Sequence, residues 1–83
     1  MSYSVQVTHS AKHELKRLSP DAQKRVLPIL LRLKDDPFPS GHKKLKGNKG
    51  YRVRIGDYRV LYEVDIPGLS VIVSAIVHRK DAY

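Results

Sequence analysis

Between residues 41 and 59 the chain carries seven basic side chains, Lys43, Lys44, Lys46, Lys49, Arg52, Arg54 and Arg59, against Asp57 alone. Arg54 and Arg59 flank Gly56-Asp57, a two-residue linker of the kind that closes a tight hairpin, with glycine supplying the positive φ of a primed turn. That turn would pair 55 with 58, 54 with 59, 53 with 60 and 52 with 61. Arg54 and Arg59 then face each other, and like charges opposed across a hairpin are destabilising. At about 5 Å the repulsion is roughly 1 kcal/mol in water and roughly 3 kcal/mol at an effective dielectric of ~20. An anion held between the two guanidiniums removes the conflict, and arginine matches phosphate geometry bidentately. The other reading is a solvated basic face with its side chains splayed apart. Lys43, Lys44, Lys46 and Lys49 lie in a glycine-bracketed approach to the hairpin. They suit phosphate contact without Walker-type spacing, or else form a flexible charged loop.

The elements that must position these residues follow from periodicity. In the hairpin one face carries Tyr51, Val53, Ile55, Tyr58, Val60, Tyr62 and Val64, the other Arg52, Arg54, Arg59, Leu61 and Glu63. Residues 3–7 alternate as a short first strand. Thr8 or Ser10 can cap a helix with Ala11, Leu15 and Leu18 on one stripe, and Ser19-Pro20-Asp21 opens a second with Ala22, Val26, Ile29, Leu30 and Leu33. Pro28 sits inside that second helix, where a kink is expected rather than a break, since the apolar period continues past it. Residues 37–41 read as loop and 66–69 as a turn. Residues 71–77 are almost continuously apolar, as for a central strand covered on both faces.

At 83 residues the chain is one small domain, 1–83, with no internal repeat. A formal net charge of +8 points to a polyanionic target, an acidic protein partner, or both. There is no cysteine, which fits a reducing compartment, and the cytoplasm is the expected location. No apolar run approaches membrane-spanning length. His9 and His13 have a spacing that one helix face could offer a metal, but no third ligand is evident and surface histidines are expected. With no carboxylate cluster either, no metal or other cofactor is expected.

The stretch Tyr51-Arg52-Val53-Arg54-Ile55-Gly56-Asp57-Tyr58-Arg59-Val60-Leu61-Tyr62, preceded by Lys44-Leu45-Lys46-Gly47 and followed by His78-Arg79-Lys80-Asp81-Ala82-Tyr83, resembles the RelE/ParE superfamily of bacterial toxins. The match covers nearly the whole chain and is closest to the RelE-type messenger-RNA endonucleases. The resemblance implies an α+β fold in β-α-α-β-β-β order, a small antiparallel sheet of about four strands backed by a two-helix hairpin. It implies the toxin of a type II toxin–antitoxin system that cleaves mRNA in the ribosomal A site, and neutralisation by an acidic antitoxin from the same operon. Residue by residue, Arg52 and Arg54 match basic residues contacting the scissile phosphate, and Arg59 matches the arginine stabilising its developing charge. Arg79 matches the arginine proposed to protonate or stabilise the leaving oxygen, and Tyr83 a C-terminal tyrosine that stacks on an mRNA base. The best-described member has lysines at the first two sites, one proposed as general base. A guanidinium does not deprotonate at neutral pH.

In RNA the 2′-hydroxyl can attack the adjacent phosphate, and positioning with charge stabilisation supplies most of the acceleration. A site of arginines without an obvious base should be poor on free RNA, which makes help from the ribosome physically sensible. His78, Lys49 and Lys46 are the remaining base candidates, although strand alternation puts His78 and Arg79 on opposite faces. Two alternatives stand beside the nuclease: a ParE-like poison of DNA gyrase, and a non-catalytic RNA-binding module using the same basic face.

Overall fold

The computed structural model describes residues 2–48 and 50–78. Met1, Lys49 and residues 79–83 lie outside the described residues. Five strands, β1 (Ser4–Val7), β2 (His42–Lys44), β3 (Tyr51–Ile55), β4 (Tyr58–Asp65) and β5 (Ser70–His78), form one sheet in the order β1-β5-β4-β3-β2. Helices α1 (His9–Arg17) and α2 (Pro20–Asp35) follow β1, and a single 3₁₀ turn (Lys46–Asn48) joins β2 to β3. The expected α+β architecture is present, with one strand more than the four expected. The β1–β5 pair is parallel and the other three pairs are antiparallel, so the sheet is mixed.

Both helices start where side-chain chemistry dictates. Thr8 caps α1 by accepting from the Ala11 amide at 3.2 Å, and Ser19 caps α2 by accepting from the Ala22 amide at 3.2 Å, with Pro20 in the first turn. The α2 helix runs unbroken through Pro28, which is exposed, while the apolar stripe on the far side stays seated. Ala11, Val26, Leu30 and Leu33 from the helices meet Val53, Val60, Tyr62, Val71, Val73 and Ile76 from the sheet in one core. Each of the valines, leucines and isoleucines among them contributes about 1.5–3 kcal/mol when fully buried.

The β3–β4 hairpin takes the expected register, Ile55 with Tyr58, Arg54 with Arg59, Val53 with Val60 and Arg52 with Leu61. Gly56 has φ +58° and Asp57 does not share the positive φ, so glycine alone supplies the left-handed residue of the turn. Gly50, at φ +101°, is constrained differently: a Cβ there would lie 2.5 Å from the Tyr62 carbonyl oxygen.

The expectation that residues 71–77 are covered on both faces is corrected. Both helices lie on one face of the sheet; Val71, Val73 and Ile76 are buried beneath them, whereas Ile72, Ala75 and Val77 on the other face are half-buried. A continuous apolar run does not distinguish a strand at the centre of a two-layer sheet from one at the centre of a sandwich. A bulge at Ser74 sits between the Leu61–Ala75 and Tyr62–Val73 pairs and reverses the alternation, so that Ile76 joins the core face after Val71 and Val73.

Candidate functional site

The face of the sheet opposite the helices gathers cations in two cross-strand rows. One runs Lys43, Arg52, Leu61, Ala75 across β2, β3, β4 and β5; the next runs Arg54, Arg59, Val77 across β3, β4 and β5. Directly opposed residues in such pairs have Cα atoms about 4.5–5.5 Å apart, so the cationic side chains share one patch. Lys43, Arg52, Arg54 and Arg59, with Gly41, line a hollow of about 260 Å³ to which, among the described residues, no acidic one contributes. Arg52 and Arg59 are half-buried, whereas Lys43 and Arg54 are exposed. The Arg54 Nε donates to the Gly56 carbonyl at 3.2 Å, a bond that turns the guanidinium along the hairpin while using only one of its five donors.

Lys43 reaches this patch because the segment before it is fastened from beneath. The Tyr62 hydroxyl donates to the Pro37 carbonyl at 2.8 Å, and the His42 Nδ1 lies 2.8 Å from the Pro39 carbonyl. Phe38 packs edge-on against Tyr51 with ring centroids 5.1 Å apart, and Tyr51 stacks on Tyr62 at 5.9 Å. Burial, with smaller contributions from Tyr51 and Asp36, pushes the Tyr62 hydroxyl up to about 12, so it stays a neutral donor. This clasp fixes residues 37–41 and delivers β2 in register against β3, with Lys43 opposite Arg52.

The residues singled out from sequence divide accordingly. Arg52, Arg54, Arg59 and Lys43 come together. Lys44 does not: strand alternation puts it opposite Tyr51 on the other face, lining a separate hollow of about 200 Å³ with Gly50, Tyr51, Glu63 and Val64. Lys46 is exposed on the 3₁₀ turn and lines neither hollow. Lys49, Arg79 and Tyr83 lie outside the described residues. His78 faces the helix layer, its ring edge-on to Tyr58 at 5.1 Å beside Glu14 and Arg17, and so turns away from the arginine patch. His9 and His13 are exposed, and among the described residues no three side chains of His, Asp or Glu come together as metal ligands.

Sequence reasoning placed Leu61 beside the arginines but missed Ala75, Val77 and Ile72, which complete an apolar strip along them. The bulge decides which residues of β5 face that way, and a run of Val, Ile and Ala carries no mark of it. Gly41 was also missed; its φ of +89° fits the bend into β2, and the glycine itself was the available signal.

The arrangement can hold an anion with several charge-assisted hydrogen bonds and can seat something flat or apolar alongside. Comparison with known proteins places the chain in a family. The model of the ParE toxin of the parDE type II toxin–antitoxin system matches residues 5–83. A putative toxin RelE1 of Methanocaldococcus jannaschii is 34% identical over all of this chain and 97% of its own length. Toxin RelG of Mycobacterium tuberculosis is 30% identical over all of this chain and 98% of its own. The solved toxin–antitoxin complex RelBE2 of Mycobacterium tuberculosis contains a chain superposing with a TM-score of 0.84 at 27% identity, covering 95% of this chain and 100% of that one. The chain belongs to the RelE/ParE family of type II toxin–antitoxin toxins.

Proposed function

We propose that the protein is a ribosome-dependent endoribonuclease that cleaves translated mRNA and is held inactive by an acidic antitoxin. The observation that carries this reading is the hollow lined by Lys43, Arg52, Arg54 and Arg59 on the open face of the sheet. Its size and charge suit a phosphodiester, and the half-buried Leu61 and Val77 beside it offer apolar surface to an adjoining ribose or base. Arg54 and Arg59 grip the non-bridging oxygens, and the charge developing there as the 2′-oxygen attacks relieves their mutual repulsion. Attack forms the 2′-O–P bond and breaks the P–O5′ bond, leaving a 2′,3′-cyclic phosphate and a 5′-hydroxyl. The 2′-hydroxyl proton passes to water or to a ribosomal group, because no guanidinium accepts it, and the leaving oxygen regains a proton. Arg79 and Tyr83 are assigned the leaving oxygen and a base-stacking platform on the family resemblance; neither role rests on the described residues. Such a site works by positioning, and a ribosome that holds the A-site codon supplies the alignment.

Toeprinting of a translated mRNA with and without the protein tests this: new ends inside the A site are expected with the wild type and absent with Arg59→Ala. A second reading has one observation in its favour, since the family model that matches is that of the ParE toxin. It is a gyrase poison that cleaves nothing itself, and linearised plasmid in the presence of gyrase with no new mRNA ends would establish it. Phosphate-dependent RNA binding with neither product would leave a non-catalytic RNA-binding module.

A further inference from the structure

The open face of the sheet continues past the arginine hollow, and its next row changes character. Glu63 pairs with Ile72, and Ile72 pairs in turn with Gln6, so beyond Arg52, Leu61 and Ala75 a row of Glu63, Ile72 and Gln6 crosses β4, β5 and β1. Glu63 and Gln6 are exposed and Ile72 is half-buried between them. Gly50 stands at the β3 end of this row, where a Cβ would lie 3.1 Å from the Glu63 Cγ, so glycine is what leaves room for the carboxylate. Neither the Glu63 nor the Gln6 side chain has a hydrogen bond or ion pair among the described residues. Asp65, the other acid on β4, is already engaged, its Oδ1 accepting from the Gly68 amide at 3.2 Å.

A carboxylate beside a site for phosphate repels the RNA backbone, so attraction for the polyanion is not what Glu63 supplies. Toward RNA a carboxylate acts as an acceptor for hydrogen bonds from a base edge. Adenine, cytosine and guanine each offer an exocyclic amino group to such an acceptor. Uracil offers one N–H between two carbonyls, and those carbonyls face a carboxylate unfavourably. Gln6 both donates and accepts, and so holds any base. The spacing fits one nucleotide. Successive rows lie about 7 Å apart along a strand, which carries the chain from a phosphate at Arg52, over Leu61, to a base on Ile72. The backbones bearing Glu63 and Gln6 are two strands apart, roughly 10 Å, with Ile72 as an apolar floor between them.

We infer that Glu63, Ile72 and Gln6 form a base-reading subsite, which accepts a base carrying an exocyclic amino group at one nucleotide flanking the cut and rejects uracil there. The ribose lies over Leu61 and Ala75, the base rests on Ile72, its amino group donates to the Glu63 carboxylate, and Gln6 closes the opposite edge. This rests on the reading of the chain as a ribonuclease acting on mRNA. Glu63 touches the base and not the reacting phosphate, so it sets which messages are cut rather than how the bond breaks.

The test measures single-turnover cleavage by the full chain on programmed ribosomes, using mRNAs that differ only in the nucleotide on the 5′ or the 3′ side of the cut. At one of those two positions the wild type is expected to cut the uracil-bearing message at least about tenfold more slowly than the other three. Glu63→Gln should abolish that ratio by raising the rate with uracil, because a carboxamide also donates. Glu63→Ala should abolish it by lowering the other three rates. Both variants should melt as the wild type does, since the side chain is exposed. If Glu63 only sets the local field, each substitution changes all four rates by one common factor and the ratio persists, which overturns the inference. A wild type that cuts all four messages alike also overturns it and leaves the ribonuclease reading standing. No cleavage of any message removes that reading and this inference together.

Discussion

The two faces of the β3–β4 hairpin are made by the same two strands and obey opposite rules. Toward the helices, Val53, Val60 and Tyr62 are 3%, 0% and 1% exposed, and each is held by its neighbours. Toward the open side, Arg52, Arg54 and Arg59 set like charges side by side, an arrangement that the anion of the proposed function would favour. A single strand thus alternates between residues chosen for the fold and residues that work against it. Where local preference and global stability disagree in this way, function is the usual reason.

The sharpest way to separate the two faces is to substitute neighbours. Arg59→Ala should lower single-turnover mRNA cleavage on programmed ribosomes by about 10²–10³-fold with no fall in melting temperature, since one preorganised donor is worth that much and a like charge opposite Arg54 is removed. Val60→Asp, one residue along, should leave no folded protein by circular dichroism, because an unpaired buried charge costs several kcal/mol in a domain with about 5–15 to spare. If Arg59→Ala unfolds the chain instead, the open face is structural and the comparison collapses.

A milder probe is salt. Four cations on single-stranded RNA predict a log–log affinity slope near −3, each of Arg52→Gln and Arg54→Gln reducing its magnitude by about 0.7. Lys44→Gln, on the opposite face of β2, should change it less, and filter binding across salt concentrations measures all three. Smaller still is Tyr62→Phe, which leaves the Pro37 carbonyl unsatisfied at about 1 kcal/mol, read in a denaturant titration. The same variant carries a pH signature. The Tyr62 hydroxyl is raised in the folded state to about 12 from an ordinary value of 10.0, so between those limits the unfolded chain has released its proton and the folded one has not. The contribution of Tyr62 is complete below pH 10 and is lost as pH rises toward 12, by about 1.4 kcal/mol per unit. Tyr62→Phe should lack that component of the alkaline slope. An effect of similar size is expected from Gly56→Ala: no clash opposes the added methyl, whose nearest neighbour is Arg25 Nη1 at 3.6 Å, but a φ of +58° costs an L-residue roughly 1–2 kcal/mol.

The hairpin and its register were legible because alternation and the Gly56-Asp57 turn specify the same pairing independently. The helix starts were legible through Thr8, Ser19 and Pro20, where capping chemistry is local. What was hidden depends on contacts distant in sequence. Nothing in His42-Lys43-Lys44 alternates between apolar and polar, and this segment is a strand only because β3 lies beside it and Tyr62 holds Pro37. Lys43 and Lys44 therefore looked equivalent and are not. The bulge at Ser74 was invisible in an unbroken apolar run, which is why the residues completing the strip beside Arg59 could not be named.

The parallel pairing of β1 with β5 has a consequence for how the molecule is born. Thr8 and Ser74, joined by a hydrogen bond from the Thr8 hydroxyl to the Ser74 carbonyl, lie 66 residues apart. A growing chain makes β1, both helices and the arginine hairpin before the strand that binds them into one sheet. A hairpin by itself is marginal in water, so the nascent chain has its cations but no surface to align them. At about 5–20 residues per second the nine residues of β5 take roughly a second to make, and the core closes only once they have emerged. If the arginine hollow is the active site, the chain stays inert through nearly all of its own synthesis and becomes competent in one late step.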